Sequence, residues 1–394
     1  MEITPAFWGE WMDTWTQMLV HPLWLAAILL AAWQFAWKSL QEEQRYGGKL
    51  NPPTPLFLQS LAWGIAAGWL LTPLLLTLPL SIQWNELFWV WGVALFLCCI
   101  RLRFACFAYS AGLLSLVSLT WQSMGEPVPA GAGGVVWNAL YHFSVSDWMA
   151  VVVALHLAEW WLVRVDGQQG GTPVTAKDPH NEILGGYRLQ KVWPLPLFIP
   201  SPVGVIPLPV LTGFARINLS RPPEQQKRRS SSLILLFALI LLSLVVTARW
   251  WEPLLWLTAA FSVIGHEALY LLGRHREKKR FPLYGAVPDG VKIWVVLPGT
   301  PADSMGLKPG DVLLRVNGQP TRSGPELKAA IRRSAAFAKL ELKDEQGEAK
   351  LAQCPVYEGD PPLLGIVPAP ESDFAAQKAA KKENPAMPSV DPTL

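Results

Sequence analysis

The stretch VVLPGTPADSMGLKPGDVLLRVNG, residues 295–318, decides the fold of the last part of this chain. The β-branched run Ile293–Leu297 ends at Pro298-Gly299, a dipeptide that turns the backbone. Thr300 stands at the capping position of a short helix over 301–305, with Pro301 preset for its first turn. Gly306 supplies the left-handed residue that stops it. Lys308-Pro309-Gly310-Asp311 is a second turn and Val312–Val316 a second strand, and Asn317-Gly318 is a strong hairpin signal. Further on, Ser323 with Glu326 makes a capping box for a helix from Pro325 to about Ser334. Leu327 and Ile331, one helical turn apart, face a sheet. Leu340 and Leu342 alternate with Lys339, Glu341 and Lys343, and the chain returns over Ala349–Val356.

This succession resembles a PDZ domain, placed at 281–370. Pro361-Pro362-Leu363-Leu364-Gly365-Ile366 is similar to the carboxylate-binding loop of that family, but it follows the other elements instead of preceding them. The resemblance therefore implies a small α+β PDZ domain of the circularly permuted bacterial type. It also implies a peptide site. A partner strand would add at Leu364, Gly365, Ile366 and Val367, with the first three amides open to a carboxylate, and Leu327 and Ile331 would line the facing wall. Residues 371–394, rich in Ala, Lys and Pro, are expected to be disordered.

Upstream the composition changes. Hydrophobic residues make up 51% of the chain and charged residues only 16%, well below the roughly 25% of soluble proteins. Most of the charge lies after Gly273 and in one central loop, so the remainder reads as a polytopic helical membrane domain over 19–273. About seven spans are expected, near 20–37, 60–80, 87–100, 104–120, 147–163, 230–247 and 254–272. The sixth is bracketed by Arg229 and Arg249, a length of about 28 Å at 1.5 Å per residue. Residues 1–18 place Phe7 or Trp8, Trp11, Trp15 and Met18 at helical spacing, as in a helix lying at the membrane surface or a frayed extension of the first membrane helix. A net charge of +3 gives no argument for nucleic acid, and four cysteines no disulfide framework.

Basic residues alternate between loops. Lys38, Arg45 and Lys49 follow the first span, Arg101 and Arg103 the third, nine Lys and Arg the fifth, and a basic run from Arg274 the seventh. The intervening loops hold only Arg249. By the positive-inside rule this puts the amino terminus outside and the PDZ domain in the cytoplasm, with the basic run also drawn to anionic membrane lipid. Val192–Leu211, within the proline-rich cytoplasmic loop 164–229, resists the scheme. It is apolar but carries six prolines, each unfit for a helix interior. A surface-lying or re-entrant segment is expected there, with a broken eighth pass as the alternative.

Ionisable groups inside the spans need partners. They are His156 and Glu159 in the fifth, and His266 and Glu267 in the seventh. His266-Glu267 invites comparison with site-2-type intramembrane metalloproteases, whose zinc needs histidines at i and i+4. The second of those positions is Tyr270, and Asp289 falls outside any span. These four groups are therefore expected to be structural, with no catalytic residue, metal site or cofactor.

The whole arrangement resembles the MinJ family of division-site membrane adaptors. The likeness rests on His21-Pro22-Leu23, GHEALYLLGRHREKK over 265–279, Pro282-Leu283, VLPGTPADSMGLKPGD over 296–311 and LLGIVP from Leu363. It implies a non-enzymatic protein at the septum and poles, linking a DivIVA-like scaffold to MinD and touching other divisome components, with self-association left open. A protease-like or transporter-like membrane protein with a regulatory PDZ domain is the other class the sequence admits.

Overall fold

In a computed structural model the chain is described over residues 5–125, 132–177, 183–202, 204–278, 283–285, 287–334 and 336–370. The expected tail at 371–394 lies outside these residues. The first half is helical: α1 (Pro5–Val20), α2 (Pro22–Tyr46), α3 (Pro53–Thr77), α4 (Trp84–Ile100), α5 (Phe107–Met124), α6 (Ala132–Tyr141) and α7 (Val145–Asp166). Then come three strands, β1 (Thr172–Lys177), β2 (Ile183–Ser201) and β3 (Gly204–Asn218), before α8 (Pro223–Ala248) and α9 (Leu254–Lys278). Each of the seven expected spans falls on one of these helices. Among the described residues, five helices are long and apolar enough to cross a membrane, namely α2, α3, α7, α8 and α9; α4 is apolar but shorter. Their outward faces carry exposed Leu, Trp, Phe and Val side chains, as a lipid-facing surface requires.

The region expected as a loop over 164–229 is instead largely a three-stranded antiparallel sheet, order β1-β2-β3. Its distal part, 192–211, is a hairpin closed where Ser201 pairs with Gly204. Trp193, Leu195, Leu197, Phe198, Ile199, Ile206 and Leu208 are all buried, most of them in the core shared with α3, α7 and α8. The segment is thus neither a helix nor a surface strip but a strand pair inserted among helices.

The prolines that excluded a helix fit this hairpin because of their register. Pro194, Pro196 and Pro200 of β2 oppose Leu211, Pro209 and Val205 of β3, and Phe198 opposes Pro207. A Pro–Pro pair cannot exchange N–H···O bonds, so this parity is the non-hydrogen-bonded one, whose N–H groups point away from the partner strand. Prolines at these positions remove outward donors that a sheet edge inside a helical core would leave unmet. The one non-proline of this set in mid-strand, Phe198, donates its N–H to Thr72 Oγ1 at 3.3 Å.

That bond belongs to a stripe on α3. A Cβ on Gly64 would overlap the Pro194 carbonyl oxygen, and one on Gly68 the Pro196 carbonyl oxygen. Gly64, Gly68 and Thr72 stand four residues apart, about 6 Å per step along the helix, and meet every second strand residue, about 6.6 Å per step. Strand and helix therefore run in step with their backbones in contact. At the inner end of the hairpin, Lys191 makes two bonds to Asp166 at 2.9 and 2.8 Å, and the Trp193 indole N–H adds a third at 2.8 Å, all fully buried. At the far end Phe198 meets Trp15 and Met18 of α1 and Trp24 of α2. The amino-terminal helix thus packs its Trp15 and Met18 side onto the hairpin tip.

The last domain comprises β4 (Val291–Val296), α10 (Pro301–Ser304), β5 (Val312–Val316), β6 (Gln319–Pro320), α11 (Gly324–Arg333), β7 (Phe337–Lys343), β8 (Ala349–Pro355) and β9 (Ile366–Pro368). The sheet order is β8-β7-β5-β4-β9, with β6 on β5. Asn317 and Gly318 both take positive φ, 50° and 76°, as the hairpin signal requires. Ser323 accepts from Glu326 N–H at 3.3 Å, completing the capping half of the expected box. Thr300 does not cap α10. Its hydroxyl donates to Leu297 O at 2.6 Å, and Asp303 takes the Gly299 N–H at 2.9 Å instead.

Candidate functional site

Two places carry unusual chemistry: the β9 edge and a polar cluster among α5, α7 and α9.

At the first, Pro362–Gly365 is a tight turn in which Leu363 and Leu364 both sit at φ 58° and Gly365 at φ 90°. A Cβ at Gly365 would overlap the Thr300 hydroxyl, so the turn demands glycine on conformational and steric grounds alike. The expected open amides are partly used. Leu364 N–H donates to Pro361 O at 3.0 Å, and Ile366 N–H to Leu363 O. Gly365 O accepts from Leu297 N–H at 2.9 Å and Ala369 N–H donates to Lys292 O at 2.8 Å, so odd-numbered residues of β9 face β4. The even-numbered ones face outward: Ile366, whose donor is taken, then Pro368 and Pro370, which have none. Among the described residues this edge presents carbonyl acceptors and no free donor from 366 to 370.

The side chains expected to line a groove are enclosed. Leu327, Ile331, Leu364 and Ile366 lie in one core with Ile293, Leu313 and Leu340, and Leu327 is 0% exposed. Val367 instead joins Trp294, Val295 and Ala369 in a cluster with Leu50, Tyr187, Leu283 and Tyr284. That cluster docks the domain onto the base of the β1–β3 sheet. Tyr187 donates its hydroxyl to Trp294 O at 2.8 Å, the Trp294 indole donates to Gly186 O at 3.3 Å, and Gly185 N–H donates to Tyr284 O at 3.0 Å. Burial raises the pKa of both Tyr187 and Tyr284, because a phenolate there would be unsolvated.

In the second place, Glu267 on α9 pairs with Arg103 at 2.8 Å and accepts the Tyr109 hydroxyl at 2.7 Å. Tyr270, where a metalloprotease would need histidine, lies under the Arg103 guanidinium at 4.1 Å. His266, about 100° round the helix from Glu267, points elsewhere. Its ring lies 5.3 Å from that of His156 on α7. His156 Nε2 is 3.8 Å from Cys106 Sγ and 4.0 Å from a Glu159 carboxylate oxygen. The sequence singled out the two histidines and the two glutamates. It did not single out Cys106, Tyr109 or Arg103, which come from the turn before α5 and the first turn of that helix; only the packing of α5 on α7 and α9 assembles them.

The fold defines a class, a helical membrane protein that holds a PDZ domain against a sheet at one end of its helices. Comparison with known proteins narrows it. A family model described as PDZ domain matches residues 293–343. Over 205 residues the chain is 26% identical to the cell division topological determinant MinJ of Bacillus subtilis, covering 47% of this chain and 51% of that protein. It is 25% identical over 377 residues to the probable cell division topological determinant MinJ of Lacticaseibacillus paracasei, covering 90% of this chain and 98% of that one. The chain is thus MinJ-like along nearly its whole length. A 63-residue match, 40% identical, to the putative protease Do-like 14 of Arabidopsis thaliana covers only 14% of this chain and transfers no active site.

Proposed function

We propose that this chain is a non-enzymatic topological determinant of cell division, a membrane adaptor linking a DivIVA-like scaffold to MinD so that septa form at midcell. The observation that carries this is the similarity to the Lacticaseibacillus protein over 90% of this chain, which takes in the helices and the PDZ domain together. The basic loops favour seven passes with the amino terminus outside and the PDZ domain in the cytoplasm, and the adaptor role implies enrichment at septum and poles. We read the PDZ domain as permuted, with β9 in the role of the ligand strand. Its docking surface is then the β9 edge, where a partner strand donates N–H groups to the outward carbonyls of Ile366 and Pro368. Leu364, Gly365 and Val367 shape that edge, and Leu327 and Ile331 support it from within. Imaging a fluorescent fusion in dividing cells lacking the native copy tests the reading. Bands at septa and rescue of midcell division are expected. A uniform membrane signal with septa placed normally without the protein would overturn it.

A further inference from the structure

The cluster of Cys106, His156 and His266 has no part in the adaptor reading. We propose that these three residues bind one d10 transition-metal cation, Zn²⁺ or Cu⁺, and so tie the start of α5 to α7 and α9. Their ligand atoms all lie within 4.8 Å of one another. A tetrahedral zinc ion, with Zn–S about 2.3 Å and Zn–N about 2.0–2.1 Å, sets sulfur and nitrogen about 3.5 Å apart. The observed 3.8 Å between Cys106 Sγ and His156 Nε2 is close to that spacing.

The surroundings have the chemistry of an outer sphere. His156 Nδ1 lies 2.7 Å from Val152 O, a contact that requires the proton on Nδ1 and leaves the Nε2 lone pair facing Cys106. Cys106 is the N-cap residue of α5 and makes no side-chain cap bond there, so its sulfur is available to the cluster. Among the described residues, His266 Nδ1 is buried with no hydrogen-bond partner. A purely structural histidine would leave that atom unmet at a cost, whereas a metal-bound imidazole accounts for the convergence of the ring on the cluster. Glu159 has a carboxylate oxygen 4.0 Å from His156 Nε2, beside the three converging ligands and not among them. Phe237 covers both imidazoles, with ring centroids at 4.8 and 5.8 Å, which keeps the site dry. Soft thiolate with two imidazoles selects zinc or copper(I) over magnesium or calcium.

The test uses the full chain in detergent, stripped with chelator under reducing conditions and reloaded with Co²⁺, Zn²⁺ or Cu⁺ in separate arms. The expected result is one equivalent of Zn²⁺ or of Cu⁺ retained through gel filtration, a thiolate-to-cobalt charge-transfer band, and a higher melting temperature. Cys106→Ser abolishes the band. His266→Gln weakens retention by more than about 100-fold, beyond the 10–100-fold typical of losing an outer-sphere partner. A variant lacking Cys98, Cys99 and Cys354 behaves like the parent. Matching melting curves for metal-free parent and metal-free variants show that the losses are not unfolding. Should Cys106→Ser fail that control, the His266→Gln arm decides. No retained metal in the parent, or equal retention in the folded variants, would overturn the proposal.

Discussion

Lys191 and Asp166 are both wholly enclosed, with the Trp193 indole as third partner. A pair of this kind contributes little net stability, but removing one member leaves the other charged and unsolvated. Lys191→Met should therefore lower stability by about 3–5 kcal/mol, and adding Asp166→Leu should recover most of it. Thermal unfolding of the parent and the two variants in detergent reads this directly, and a double variant no better than the single one would refute it. Gly365 poses a different question. Valine there meets both φ 90° and the Thr300 side chain, so Gly365→Val should destabilise the PDZ domain by roughly 1–3 kcal/mol before any partner is considered. Leu327→Lys belongs to the same class, since Leu327 is a core residue. Loss of partner binding in either variant becomes interpretable only after its melting temperature is known.

The α3–hairpin contact is an element-scale feature, and Gly64 and Gly68 make its sharpest test. Gly64→Ala and Gly68→Ala push the strand carbonyls away and should each cost about 1–3 kcal/mol, while Gly92→Ala, with open space around it, should be near neutral. The docking of the PDZ domain has its own signature. Tyr187→Phe removes one buried hydrogen bond and should weaken docking by about 0.5–1.5 kcal/mol, read as faster amide exchange in β4. With the phenol pKa values raised, the docked state holds the proton more tightly than the free one. Docking should thus be at full strength below the ordinary tyrosine value of about 10 and weaken as pH rises above it. At this scale the sequence was uneven in what it disclosed. The PDZ strands and α11 were legible because turn dipeptides and alternation agreed with their tertiary roles. The hairpin was not, although PLPLFIP and IPLPV carry their prolines at the two-residue period of a strand. Proline reads as a breaker, and its harmlessness depends on which edge each N–H faces, which only the register reveals. Cys106 is illegible for a similar reason, since nothing local marks it and its partners lie far along the chain.

At the scale of the whole molecule, the charge alternation makes a topological statement. Reporter fusions at Ser123 and Trp251 should report the outside, and fusions after Lys49 and Lys177 the cytoplasm. A cytoplasmic amino terminus would break the scheme. The embedded hairpin then bears on how such a molecule is made. Helices can leave the insertion machinery singly, because each meets its own backbone hydrogen bonds, whereas an isolated strand pair with bare edges has no stable place in hydrocarbon. Its outer edge is satisfied by Thr72 and accommodated by the glycines of α3, both synthesised long before it. Its inner end is fixed by Asp166, the last residue of α7, and its core packing is completed by α8, not yet made. With the PDZ side cytoplasmic, as the charge alternation predicts, the hairpin is expected to dwell at the cytoplasmic surface during synthesis and slide home as a late step of biogenesis, closing the PDZ domain's seat behind it.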